Sequence, residues 1–293
     1  YGEFMNKLKF EDILDKHKDS PCVIACHGPS LDQHKHQIQT LQETGEILRL
    51  STNNWYDFFS TPPDYWVLSN TEFTIKNKID KINEYKIPLF YASSADLTSQ
   101  NFIDENLLCD YLPYDQRHFK GMSCLEIIKS FKSHYDEHKN LDFKGIGNNS
   151  VMWQHPRHLG GAGFSGILRY GHNSHGRCCQ KIMNGVPTVQ EYLKNISNSD
   201  QHCSTADTVA IEMLSFAIIM GCNPIYISGM DLDYSKGYSG GRRAPKNDDW
   251  QRLQKNLIND LKVLNDSAKN RGIDIINLNK SNWYKIFKSG NLP

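Results

Sequence analysis

Short apolar runs alternating with amphipathic stretches set the rhythm of this chain. Pro21-Cys22-Val23-Ile24-Ala25-Cys26 is apolar and rich in β-formers and stops at His27-Gly28-Pro29-Ser30, which predicts a strand, a tight loop and then a helix over Leu31 to Glu43. Gly45 ends that helix. Glu46 to Ser51, Tyr65 to Ser69 and Pro88 to Ala92 follow as strands, with Asp110 to Leu112 as a shorter one. Phe73, Ile75, Ile79 and Ile82 recur at helical spacing within Thr71 to Tyr85, and another helix is expected around Ser123 to Tyr135. This alternation predicts an α/β fold, a Rossmann-like and mostly parallel sheet flanked by helices.

Between Lys144 and Ser204 glycines break every period among His, Arg and Asn, so 144–204 is expected to be a Gly/His-rich lid or insertion. Regularity returns at Thr205 to Met220, apolar on nearly every side, as a helix buried between other elements and ended by Gly221. Pro224 to Gly229 is a buried strand, and Asp248-Asp249 can cap a helix whose Trp250, Leu253, Leu257, Leu261, Leu264 and Ala268 form one apolar face. Gly272 closes that helix before a strand over Ile273 to Leu278, and Trp283 to Phe287 is expected to form a short final helix.

Charge and composition narrow the function. Lys and Arg number 33 against 33 Asp and Glu, so no net field recruits nucleic acid, and no nucleic-acid partner is expected. With 39% hydrophobic residues the chain can pack a core, and no apolar run is long enough to cross a bilayer. Tyr1-Gly2-Glu3-Phe4 lacks the regions of a secretory signal and resembles a cloning remnant, so a natural start at Met5 and a single domain over 5–293 are expected. The compartment is then the cytoplasm, with peripheral attachment to the inner membrane and homo-oligomerisation left open. The eight Cys contain no CxxC pair and are expected as reduced thiols.

Ligands of open α/β sheets bind beyond the carboxyl ends of the strands, which directs attention to the residues just past each one. His27, Gly28, Pro29 and Ser30 can form a phosphate cradle, though they match neither a Walker loop nor GxGxxG and also suit a plain strand-to-helix turn stiffened by proline. Asn53, Asn54 and Asn70 each offer a donor and an acceptor to a base or ribose, or cap turns. Asp231 with Asp233 can hold Mg²⁺ for phosphoryl transfer, or Asp231 can accept bonds from a ribose or backbone amides and hold its loop. Tyr234, Tyr238, Arg242 and Arg243 share a loop in which phenol and guanidinium groups can stabilise a departing phosphate. His155, His158, His172, His175, Cys178 and Cys179 fit no standard zinc spacing and suit a lid that meets substrate.

Two motifs resemble known families. Met220-Gly221-Cys222-Asn223-Pro224-Ile225-Tyr226-Ile227-Ser228-Gly229-Met230-Asp231-Leu232-Asp233-Tyr234, preceded by Ser204-Thr205-Ala206-Asp207-Thr208-Val209-Ala210, is similar to the signature joining motility-accessory-factor glycosyltransferases with hydroxymethylpterin diphosphokinase-like proteins. Cys26-His27-Gly28-Pro29-Ser30-Leu31 resembles the Gly-Asn-Gly-Pro-Ser-Leu motif of bacterial lipooligosaccharide sialyltransferases. Together the resemblances cover about the first 70 residues and 204–279.

The resemblance implies a GT-A-like sialyltransferase variant of the fold, with a CMP-sugar donor and a glycan or glycoprotein acceptor in bacterial glycan biosynthesis. Cytidine nucleotide contacts would fall on His27, Gly28, Pro29, Ser30, Asn53, Asn54, Asn70, Thr205, Asp207, Gly229 and Asp231. Asp231, Tyr234, Tyr238 and Arg242 would serve catalysis without a required cofactor. His27 stands where the motif has Asn, and no His follows His202, so the base is left to the histidines of 155–202, to Asp207 or Asp231, or to the substrate. The alternatives are a Mg²⁺-dependent diphosphokinase of the hydroxymethylpterin type and a nucleotide-binding module without catalysis.

Overall fold

The structure, a computed structural model, describes residues 6–68, 75–92, 97–114, 142–147, 150–154, 189–199, 208–233, 237, 239–241 and 250–293. Eight strands form one sheet: β1 (Cys22–Ala25), β2 (Leu48–Thr52), β3 (Tyr65–Leu68), β4 (Leu89–Ala92), β5 (Tyr111–Tyr114), β8 (Ile225–Ser228), β9 (Ile275–Asn277) and β10 (Lys288–Ser289). Their order is β10-β9-β8-β1-β2-β3-β4-β5, and every neighbouring pair is parallel. A separate antiparallel pair joins β6 (Asp142–Gly147) to β7 (Ser150–Gln154).

A parallel sheet must be covered on both faces, and the strand residues alternate accordingly. Cys22, Ile24, Tyr65, Val67 and Phe90 point into one apolar layer with α1 (Phe10–Ile13), α5 (Val189–Ser197), α6 (Val209–Ile219) and α7 (Trp250–Asn270). Val23, Ala25, Trp66, Leu68, Leu89 and Tyr91 point into the other, with α2 (Lys35–Glu43), α3 (Ile79–Tyr85) and α4 (Leu97–Asn106).

Helix α6 lies buried from Ala210 to Ile219. Its Thr208 cap accepts from Ala210 N, and the Ser215 hydroxyl returns to the carbonyl of Ile211, which pairs two of the polar groups that such burial would strand. Among the described residues, no helix is long and apolar enough to cross a membrane.

The predicted strands and the α6 and α7 helices are present, and three expectations change. The helix expected over Leu31 to Glu43 is a 3-10 turn over Pro29–Gln33 and then α2, with His34 as the joint. Within 144–204, the described parts include strand residues of β6 and β7 and the helix α5, whose Val189, Tyr192 and Leu193 are buried, with Tyr192 stacked on Phe10. Trp283 to Phe287 is not a helix, because Asn282 Oδ1 takes the Lys285 amide, Trp283 and Tyr284 bond to the loop after β8, and Lys285 turns to φ 42°. The histidines and paired cysteines of 155–179, and the helix expected over 123–135, lie outside the described residues.

Candidate functional site

The chain leaves β1 toward β2, β3, β4 and β5 on one side and returns through β8 and β9 on the other, so β1 and β8 flank the topological switch point. There the connections diverge and open a crevice at the carboxyl ends of the strands. The loops that meet across it are His27 to Ser30 after β1 and Gly229 to Asp231 after β8.

These loops approach as closely as backbones allow. Gly28 N donates to Gly229 O at 2.8 Å, and Cys26 N to Ser228 O at 2.8 Å. A Cβ on Gly28 would lie 2.3 Å from Asp231 Oδ2, and one on Gly229 would lie 2.1 Å from Cys26 O at a φ of +71°. Both positions therefore need glycine.

Two carboxylates lock the loops reciprocally. Buried Asp231, after β8, accepts from Ser30 N at 2.9 Å and from Asn279 Nδ2. Asp32, after β1, accepts from Ser239 Oγ at 2.7 Å and Gly240 N at 2.9 Å, while Ser239 N donates to His27 O at 2.7 Å. Partial burial would raise the Asp32 carboxyl, but the bonds from Ser239, Gly240 and Lys35 outweigh it and hold the group down at about 2.

Behind Asp231 the network continues. Asn277 Nδ2 donates to Tyr284 Oη at 2.6 Å, Tyr284 Oη donates to Met230 O at 2.9 Å, and Trp283 Nε1 reaches Asp231 O at 3.1 Å. Burial pushes the Tyr284 phenol up against the lowering bond from Asn277, and Cys26 and Asp231 push it further. Burial, then the charge of Asp231, likewise raises the Cys26 thiol, which keeps it protonated and unfit as a nucleophile.

On the other side of β1 the polar groups are less committed. The Ser30, Ser51 and Thr52 hydroxyls are buried with no hydrogen-bond partner among the described residues, although buried hydroxyls are normally paired. Asn53 follows β2 at φ 47°, and Asn54 offers its side-chain oxygen to Lys78 and Tyr56. The His27 ring lies 4.4 Å from that of Phe58, joining the β1 loop to the β2 loop.

The structure thus brings His27, Gly28, Pro29, Ser30, Gly229 and Asp231 to one place, with Asn53 and Asn54 beside them after β2. Asn70, Thr205, Asp207, Tyr234, Tyr238, Arg242 and Arg243 lie outside the described residues. Of the two Asp231 readings, the geometry displays the loop-holding one, since each carboxylate oxygen meets a protein donor. Sequence reasoning missed Asp32, Asn277, Asn279, Trp283 and Tyr284. The two asparagines end and follow β9, so the rule that found Asn53 also reaches them. The Asp32 clasp joins positions over 200 residues apart and leaves no local signal.

No protein-family model matches the chain, and no curated protein matches it. Solved structures do. The sialyltransferase CstII from Campylobacter jejuni in complex with CMP-3FNeuAc is 15% identical, with 93% of this chain and 86% of that chain covered at a TM-score of 0.38. A tyrosine-to-phenylalanine variant of CST-II in complex with CMP is 13% identical, with 94% and 89% covered at 0.42. CST-II with trisaccharide acceptor and CMP is 14% identical, with 94% and 89% covered at 0.35.

Proposed function

We propose that this chain is a glycosyltransferase that moves a sialic-acid-like nonulosonic acid from a CMP-activated donor to a hydroxyl of a glycan or protein, without a metal. One observation carries the reading: at the switch point, two glycine-tight loops meet beside the buried hydroxyls of Ser30, Ser51 and Thr52, which find no hydrogen-bond partner among the described residues. Unpartnered buried hydroxyls at the carboxyl edge of a parallel sheet favour a polar ligand that completes them. The Gly28-Pro29-Ser30 motif and the run through Asp231, similar to transferase signatures, give that ligand its nucleotide character. In this reading Ser30 and Asn53 hold the nucleotide, and Asp231 positions the Ser30 loop. Tyr234, Tyr238 and Arg242 offset the charge that develops on the leaving phosphate. Mg²⁺ at Asp231 would compete with its bonds from Ser30 and Asn279, which favours sugar transfer over a diphosphokinase.

Titration calorimetry with CMP, CDP, UDP, GDP and ATP, each with Mg²⁺ and with EDTA, tests this. CMP binding is expected to survive EDTA, and Ser30→Ala to weaken it about tenfold. Release of CMP from a CMP-sialic acid, increased by a hydroxyl acceptor, is the expected activity. Exclusive binding of Mg-ATP would overturn the reading, and CMP binding with no turnover of any CMP-sugar would reduce it to a binding module.

A further inference from the structure

Beside the Asn53-Asn54 loop stand two half-buried ammonium groups that the proposal above does not use. Lys78 Nζ donates to Asn54 Oδ1 and lies 3.4 Å from Tyr56 Oη, and Tyr56 Oη itself donates to Asn54 Oδ1 at 3.0 Å. Lys81, three positions on, holds its Nζ 4.6 Å from the Tyr56 ring centroid, and Lys78 Nζ is 5.8 Å from the same centroid. Two like charges are gathered on one phenol ring.

Their partners are neutral. Among the described residues neither lysine forms an ion pair with a carboxylate. Burial lowers the affinity of Lys78 for its proton, exposed Asp57 draws it back up, and Lys81 lowers it further. Asp80 and Glu84 of α3 are exposed. Asn54 commits its carbonyl oxygen to Lys78 and Tyr56, which leaves its amide N–H groups as donors. Half-buried positive charges on neutral supports are disfavoured alone, and an anion placed between them relieves both desolvation and mutual repulsion.

We propose that Lys78, Lys81 and the Asn54 amide form an anion subsite that takes a dianionic phosphoryl group carried by the acceptor. The arginine fork suits carboxylate and phosphate alike, whereas lysine binds a phosphate as a compact point charge, so here the number of charges decides between the two anions. Two ammonium groups balance the two charges of a phosphate monoester, and a carboxylate supplies only one. The subsite stands on its own contacts, and only the assignment of its ligand to the acceptor rests on the transferase reading.

The test is calorimetry at low salt with glucose 6-phosphate, glucuronate and glucose on the native chain, on K81Q and on K78Q/K81Q, with CMP titrated in parallel and urea midpoints checking the fold. Glucose 6-phosphate is expected to bind at least about tenfold more tightly than glucose, with glucuronate between them. K81Q should lose about tenfold of that advantage, and the double variant all of it. Equal binding of glucose 6-phosphate and glucose, absent binding of both, or an advantage that survives in the double variant overturns the subsite. No effect of K81Q on glucose 6-phosphate overturns the subsite as drawn, and an equal loss of CMP and glucose 6-phosphate affinity in K81Q overturns the assignment to the acceptor. Failure of CMP to bind while glucose 6-phosphate binds overturns the transferase reading and leaves the subsite standing.

Discussion

The two walls of the switch-point crevice use polar residues for opposite ends. On the β8 and β9 side, Asp231, Asn277, Asn279, Asn282 and Tyr284 bond to one another and to backbone, and the groups are consumed in holding the loops. On the β2 and α3 side, the Ser51 and Thr52 hydroxyls lack partners among the described residues, and Lys78 and Lys81 rest on neutral groups. A polar residue past a strand is thus an ambiguous sign. Whether its hydrogen bonds end within the protein separates a scaffold wall from a wall prepared for a ligand.

That contrast breaks most severely at Gly229. Gly229→Val forces a Cβ onto the Cys26 carbonyl at a positive φ and should cost about 3 to 5 kcal/mol in urea unfolding or prevent folding. Asp231→Ala leaves the Ser30 amide and the Asn279 amide without acceptors and should cost about 2 to 3 kcal/mol by the same measurement, with CMP binding weakened alongside. A loss below about 0.5 kcal/mol would erase the distinction between the walls.

Asp32 supplies a gentler test through pH. Its carboxyl sits at about 2 in the fold against 3.8 ordinarily, so the folded state binds its proton less readily than the unfolded one. The resulting stability is complete above 3.8 and disappears as pH falls through about 2. The difference in urea midpoint between the native chain and Asp32→Asn should therefore shrink over that interval, and a constant difference would show the clasp to be absent in solution. The group is largely exposed, so the effect should be modest. Smallest of all, Lys81→Ala on the open wall should move the urea midpoint by less than about 0.5 kcal/mol equivalent.

The sheet was legible because its strands are short apolar runs bounded by turn residues, and α6 because ten successive buried positions leave no polar face. Gly28, Ser30 and Gly229 could be placed at the switch-point crevice from the rule that ligands meet strand carboxyl ends. What local pattern could not supply was any contact between distant segments. Trp283 and Tyr284 have the composition of a packed helix, and only their bonds to the loop after β8 make them irregular. Lys78 looks like an ordinary solvated lysine until Asn54 and Tyr56, more than 20 positions earlier, are found around its ammonium. The α5 helix was hidden by its glycine-rich surroundings, although Val189, Tyr192 and Leu193 have the spacing of a buried face.

The bond from Ser30 to Asp231 spans 201 positions, and β1 pairs in register with β8 across nearly the same interval. During synthesis at about 5 to 20 residues per second, β1 therefore waits about 10 to 40 seconds for the strand that completes its second edge. Until then β1 to β5 present an open, apolar border, the kind that recruits other chains as readily as its own. The switch point consequently does not exist until β8 is made, and the crevice marks a chain whose translation has passed β8.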